Sequence, residues 1–232
     1  MKKAKILLIS PNIKGMDDGV NRIMPSLGLM LIAQMLLNYG HTVKIHDTAL
    51  EGWNNRILLD PKKQKLLIGQ SDEEILKVIS DFSPDIVAIS VLFSNFLDSA
   101  HTIARIVKKI NKNTKVILGG NHISNTVIDY KFSLLNKNSN LPDVIEALEN
   151  ENIDFAIVGE GEIPMLKFVE AIINNSAVDK VPGLVKKIGE KKYFMNPKSE
   201  KHNLNLLPRP ARHLVNMEGY FKIGAFQSAK AK

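Results

Sequence analysis

The 232 residues are 44% hydrophobic and 24% charged, ordinary values for a folded globular protein, which excludes a largely disordered chain. With no cysteine, disulfides, thiolate zinc sites and thiolate-bound iron–sulfur clusters are excluded within these residues. The net charge of +7 is spread over lysine pairs (Lys62-Lys63, Lys108-Lys109, Lys186-Lys187, Lys191-Lys192) with no aromatic stacking surface between them, so no nucleic-acid partner is expected. The length suits one large domain, or one of about 150–200 residues with an appendage.

In chain order, "AKILLIS" (4–10) is a continuous apolar run, as a strand buried on both faces should be. After a loop with glycine and aspartate, Pro25-Ser26 starts a helix that Gly40 ends near Tyr39. Its apolar stretch, "LGLMLIAQMLL" (27–37), is about 11 residues long, too short to span a bilayer. No basic leader precedes it, so no signal peptide, no membrane partner and a cytoplasmic location are expected. "HTVKIHD" (41–47) reads as a short strand, and a loop of about 20 residues carrying Trp53 leads to a helix over 71–82, opened by a Ser71/Glu74 capping box. "PDIVAISVLF" (84–93) is the third strand. "NFLDSAHTIARIVKKI" is an amphipathic helix with Ile103, Ile106, Val107 and Ile110 on one face.

"KVILGG" is the fourth strand, "PDVIEALENE" a short helix, "DFAIVG" the fifth strand and "EGEIPMLKFVEAIINN" a fifth helix. Successive βα units predict a doubly wound, flavodoxin-like (Rossmann-like) sheet of five parallel strands. The chain divides into an α/β domain over 1–180 and a C-terminal part over 181–232. In that part "PGLVKKIGEKKYFMNP" is a β-hairpin turning at Gly189-Glu190, followed by an extended tail with too little apolar mass to fold alone.

In such a sheet, ligands bind beyond the carboxyl ends of the strands, at the topological switch point. Those ends are Ser10-Pro11-Asn12, Asp47-Thr48, Ser90 to Asn95, Gly119 to Ser124, and Gly159 to Glu162, rich in Gly, Ser and Asn and poor in lysine. Neither G-x-x-x-x-G-K-[ST] nor G-x-G-x-x-G after the first strand is present, which argues against nucleoside triphosphates and dinucleotides. "GEGE" (159–162) has two readings: a strand-to-helix turn whose glutamates favour the helix N-terminus, or a turn that admits a flat ligand and hydrogen-bonds it. Ser94 or Asn95 is either an N-cap or a ligand contact. Ser90 and Ser94 stand in no G-x-S-x-G elbow, and the histidines show no metal-ligand spacing, so no catalytic or metal-ligating residue is assigned. His101 is expected on a helix surface, and Trp53 as a packing anchor.

"PSLGLMLIAQMLLNYGHTVKIHD", "PDIVAISVLF", "VILGGNHIS", "DFAIVGEGEIPMLKFVEAI" and "VPGLV" resemble, in order and spacing, the N-terminal cobalamin-binding domain of cobalamin-dependent radical S-adenosylmethionine enzymes. The resemblance covers about residues 4 to 226. That family includes methyltransferases of unactivated carbon and enzymes of the anaerobic magnesium-protoporphyrin monomethyl ester cyclase type. The resemblance implies a corrinoid at the carboxyl edge of the sheet, its nucleotide tail tucked beside the strands. By position it implies contacts from Pro11, Asn12, Ser90, Ser94, Gly119, Gly120, His122, Gly159, Glu160 and Gly161. Many cobalamin domains ligate cobalt through the His of a D-x-H-x-x-G motif after the first strand, whereas that loop here reads "PNIKGMDDGVNRIMPS". This departure fits the radical branch, and His122 is expected to shape its loop or touch the corrin edge rather than bind cobalt.

A second departure lies at the end of the sequence. In the family a segment like "FKIGAFQS" precedes a C-x-x-x-C-x-x-C motif that holds a four-iron–four-sulfur cluster, and here "GAFQSAKAK" brings no cysteine. The expectation is a cobalamin domain that is catalytically incomplete by itself, with the iron–sulfur cluster and S-adenosylmethionine confined to a missing C-terminal portion or a separate radical domain. From Leu204 onward the tail would be a linker. Two other readings stay open: a hydrolase or transferase of small molecules on a flavodoxin-like fold, which would need a nucleophile–base pair, and a non-catalytic regulatory or scaffold module with a decayed site.

Overall fold

The computed structural model describes residues 2–17, 21–60, 62, 64–125, 146–190, 192–197, 205 and 207–224. The first half runs β1 (Lys5–Ser10), β2 (Ile13–Met16), α1 (Leu27–Asn38), β3 (Thr42–Asp47), α2 (Thr48–Glu51), β4 (Arg56–Asp60), β5 (Lys65–Ile68), α3 (Asp72–Phe82), β6 (Ile86–Ser90) and α4 (Leu97–Ile110). The second half runs β7 (Lys115–Gly119), α5 (Glu146–Glu149), β8 (Phe155–Ile157), α6 (Glu162–Ile173), β9 (Leu184–Gly189), β10 (Lys192–Met195) and α7 (Met217–Lys222).

Five parallel strands lie in the order β3-β1-β6-β7-β8, which is the 2-1-3-4-5 winding of a flavodoxin-like sheet. The continuous apolar run of β1 is explained by alternation between two buried faces. Ile6 and Leu8 join the cluster under α1 and α6, with Leu29, Leu36, Met165 and Phe168. Leu7 and Ile9 join the opposite cluster, with Ile75 and Ile79 of α3 and Ile103 and Val107 of α4. Both clusters are buried, so β1, β6, β7 and β8 are held from above and below, while the edge strand β3 packs through Val43 and Ile45 on one face. The capping box of α3 forms as expected: Ser71 Oγ accepts from Glu74 N at 3.2 Å, and Glu74 Oε2 accepts from Ser71 N at 2.7 Å.

Three differences from the expected fold matter. The hairpin β9–β10 turns where predicted but continues the main sheet, because β9 pairs antiparallel with β8 (Ala156↔Val185, Ile157↔Leu184), giving seven strands. The three-residue β8 would otherwise be an open edge, and the buried Leu184 and Val185 cover it.

Second, the loop carrying Trp53 is not a loop. Its β4 and β5 join β2 in a separate antiparallel sheet of order β2-β5-β4, over a small core of Ile13, Ile23, Leu66 and Ile68 against which Trp53 packs. Third, the tail expected to be a bare linker is partly docked. Ala211 and Tyr220 are fully buried, and Ala211 N donates to Met30 O at 3.1 Å. The start of the helix predicted over "PDVIEALENE" lies outside the described residues, which resume at α5. No helix among the described residues is long and apolar enough to cross a membrane.

Candidate functional site

At the carboxyl ends of β6, β7 and β8 the backbone opens a cavity of about 360 Å³. Its sides are the end of β6 (Ala88, Ile89, Ser90), the β7 turn (Gly119, Gly120, Asn121, Ser124), the β8 turn (Gly159, Glu160, Gly161) and one face of α1 and α6. The floor is apolar, with Ile117, Ile157 and Met165.

Glycines keep this space empty in two different ways. At Gly119 and at Gly28 of α1, both lining the cavity, a Cβ would meet nothing within 4 Å, so a side chain there would have open space to occupy. Gly120 instead has φ +104°, and a Cβ on it would lie 2.5 Å from Val91 O. That close approach lets Val91 N donate to Gly119 O at 2.7 Å and His122 N donate to Val91 O at 3.1 Å, so the β6 and β7 turns lock together. The β8 turn is tied in through Ser124, whose Oγ donates to Gly120 O (3.2 Å) and accepts from Gly159 N (3.0 Å). The opening is thus a rigid slot lined by backbone and small residues.

One side chain in the wall is anomalous. Glu162, in the first turn of α6, is only 5% exposed, and its Oε2 has no hydrogen-bond partner among the described residues. A buried acceptor left unmet costs about 1–3 kcal/mol, and more for a charged one. Its neighbour Glu160 also lines the cavity but is exposed.

The structure therefore brings together Ser90, Gly119, Gly120, Gly159, Glu160 and Gly161 of the residues expected at the site. It does not bring Pro11, Asn12, Ser94 or His122 into the cavity lining. Pro11 is buried beside Asn12, and Asn12 is a structural clamp: its Nδ2 donates to Gln70 O at 2.8 Å and its Oδ1 accepts from Gln70 N at 3.1 Å, fixing β5 against the first loop. Ser94 is exposed in a 3-10 turn, and neither it nor Asn95 caps α4; Asn95 Nδ2 instead donates to Lys14 O at 3.2 Å. His122 is half-buried. His101, expected on the surface, is half-buried too, its Nε2 3.3 Å from Ala147 O. The sequence placed Ser124 and Glu162 at the ligand-binding strand ends without singling them out as contacts, and gave no sign of Gly28. "GEGE" was the available signal for Glu162, but nothing in the sequence says which glutamate turns inward.

The other half of the same edge is built differently. Above β1 and β3 the segment 211–223 lies across the strand ends, and Tyr220 OH donates to Asp47 Oδ2. Asp47 Oδ1 accepts from Leu50 N at 3.0 Å, making Asp47 the N-cap of α2. Burial pushes the Asp47 carboxyl above its ordinary range, opposed by these hydrogen bonds. Burial, then the Asp47 charge, pushes the Tyr220 phenol well above its ordinary value. His46, 2.6 Å from Gln70 Oε1, is lowered by burial, with the hydrogen bond acting the other way.

Comparison with known proteins agrees with this geometry. Residues 14–134, just over half of the chain, match the B12 binding domain family. The chain is 30% identical to cytidylyl-2-hydroxyethylphosphonate methyltransferase of Streptomyces wedmorensis, over 97% of this chain and 43% of that protein. It is 29% identical to an uncharacterized methyltransferase of Pyrococcus horikoshii, over 95% of this chain and 40% of the other. The chain thus spans about two fifths of these curated relatives.

Among solved structures, the cobalamin-dependent S-adenosylmethionine radical enzyme OxsB with aqua-cobalamin and S-adenosylmethionine superposes with a TM-score of 0.65 at 14% identity, over 96% of this chain and 26% of that one. The radical S-adenosylmethionine methyltransferase TsrM of Kitasatospora setae, with cobalamin and a [4Fe-4S] cluster, gives 0.56 at 15% identity, over 93% and 34%. At such identities the likeness speaks for the fold. With the winding of the sheet and the family match in agreement, the chain belongs to the B12 binding domain family, as a cobalamin-binding domain similar in sequence to parts of methyltransferases.

Proposed function

We propose that the slot between β6, β7, β8 and the helices α1 and α6 receives the nucleotide tail of cobalamin, with the corrin ring lying over the strand ends. What carries the reading is Gly119 at the end of β7, where the missing side chain leaves open space on the cavity wall, with Gly28 of α1 lining the same opening. The residues present fit such a group. The apolar floor of Ile117, Ile157 and Met165 suits an aromatic base, and Ser90, Asn121 and Ser124 offer neutral polar groups on the walls. No histidine is among the described residues that line the slot, so these residues would hold the group through apolar and neutral polar contacts.

In this reading the chain is the corrinoid-holding part of a methyltransferase of the radical S-adenosylmethionine type. Bound cobalamin supplies cobalt-centred methyl-group chemistry. The iron–sulfur cluster and S-adenosylmethionine belong to a part other than these cysteine-free residues. What this chain does is bind and orient: the hydrogen bonds of Val91 to Gly119 and to His122, and of Ser124 to Gly159, hold the slot at fixed width, and the apolar floor excludes water. The test is retention. Purified protein incubated with hydroxocobalamin and desalted should keep about one equivalent of corrinoid, with its visible spectrum shifted. Protein that leaves the column colourless would overturn the proposal.

A further inference from the structure

The slot is apolar or neutral apart from two glutamates, the exposed Glu160 and the buried Glu162, and it is the buried one that demands a partner. It lines the cavity, it is 5% exposed, and its Oε2 meets no donor among the described residues. Buried polar groups are satisfied by something, and the space beside this side chain is the slot that it lines, which a small rotation of the carboxyl brings within reach of a donor there.

A carboxylate is acceptor-only, so it discriminates between ligand groups by their hydrogens. It disfavours a phosphate, which is an acceptor and an anion, and it gains nothing from a benzimidazole ring that carries no N–H. It favours a hydroxyl or an amide N–H. Glu162 stands in the first turn of α6 and Met165 in the next, toward the floor with Ile117 and Ile157. The apolar floor suits a base, and the carboxylate stands one helical turn above it, where the sugar attached to that base would lie.

We propose that Glu162 accepts a hydrogen bond from the ribose hydroxyl of the nucleotide tail, and that this contact makes the domain select complete corrinoids over those lacking the nucleotide. The inference rests on the cobalamin-binding reading above. The peripheral amides of the corrin ring are the other source of donors, and cobinamide separates the two, since it keeps the amides and lacks the nucleotide.

The experiment is equilibrium dialysis of the wild-type chain, Glu162→Leu and Glu162→Gln against hydroxocobalamin and against cobinamide, read by corrinoid absorbance. The wild type should bind cobalamin at least ~10-fold more tightly than cobinamide. Glu162→Leu should lose about that factor for cobalamin and leave cobinamide unchanged, while Glu162→Gln, which keeps an acceptor oxygen, should retain most of the affinity. Thermal melts accompany the titrations, and Glu162→Leu should melt no lower than the wild type, since it removes a buried unmet carboxylate. The wild-type preference for cobalamin stands as a test even if a variant folds poorly. Equal affinity of the wild type for both corrinoids overturns the inference, and so does a Glu162→Leu chain that binds cobalamin normally or loses both ligands alike. A wild type that binds neither overturns the cobalamin reading as well, so the two failures are told apart.

Discussion

The carboxyl edge of the main sheet is finished in opposite ways along its length. Above β1 and β3 the C-terminal segment lies across the strands, Tyr220 is fully buried on Asp47, and only about 30 Å³ of space is left. Above β6, β7 and β8 the chain withdraws to glycine and serine and leaves about 360 Å³, with one carboxylate oxygen unmet. In the closed half the buried polar groups satisfy each other, as a structural element requires. In the open half the side chains that would close the gap are absent, and the backbone is cross-tied to keep it open. The rule that ligands sit at the switch point of a doubly wound sheet finds the edge but not the half. The switch lies between β1 and β6, yet the cavity is lined by β6, β7 and β8 and by no residue of β1.

The contrast can be broken most severely by filling the open half. Gly119→Leu should abolish corrinoid retention while leaving the urea midpoint close to that of the wild type, because the new side chain grows into empty space at a residue with ordinary backbone angles. Loss of fold instead of loss of binding would show that the opening is not free. Its neighbour should behave in reverse. Gly120→Ala puts a Cβ 2.5 Å from Val91 O at φ +104°, and should lower stability by about 3 kcal/mol or more by urea unfolding. Two adjacent glycines thus separate a binding defect from a folding defect.

The closed half gives the next largest effect. Tyr220→Phe removes the donor to a buried carboxylate and should cost about 2–3 kcal/mol. Asp47→Asn, which removes the buried charge itself, should cost less. Corrinoid retention should survive the tyrosine change if the two halves are independent. Acid should act here through His46, whose pKa burial holds below its ordinary 6.5. Below pH 6.5 the unfolded chain takes up a proton that the folded chain refuses, so stability falls as pH drops toward the folded value and is restored above it. His46→Gln should flatten that slope in urea midpoints between pH 5 and 7.

Much of this was legible in the sequence, and what was not has a physical cause. Four of the five parallel strands showed because two-sided burial demands apolar runs such as "KILLIS", and the edge strand β3 showed through the alternation of "TVKIHD". The β2-β5-β4 sheet did not, because its strands are four or five residues long and β4 leaves Ile57, Leu58 and Leu59 exposed, so no face-by-face alternation marks it. The docked tail is held by long-range contacts, Ala211 to Met30 and Tyr220 to Asp47, the latter pair 173 residues apart, which no local pattern encodes. At the site, the glycine-rich turns were visible as strand ends, since glycine after a buried strand is itself a signal. Side-chain direction was not: "GEGE" gives Glu160 and Glu162 the same context, and the helical phase of α6 decides that only Glu162 is buried.

His122 supplies the smallest expected effect and the sharpest test of how the open half works. It belongs to the turn that shapes the slot, yet the role the geometry gives it is carried by its backbone, the N–H that donates to Val91 O at 3.1 Å, and its side chain is not part of the cavity lining. Alanine keeps that N–H. His122→Ala should therefore retain cobalamin within about 2-fold of the wild-type affinity, and the visible spectrum of the bound cob(III)alamin should be unchanged. A lost nitrogen-ligated signature in this variant would place the imidazole on cobalt and move the functional centre from the glycine-lined wall to the rim of the slot.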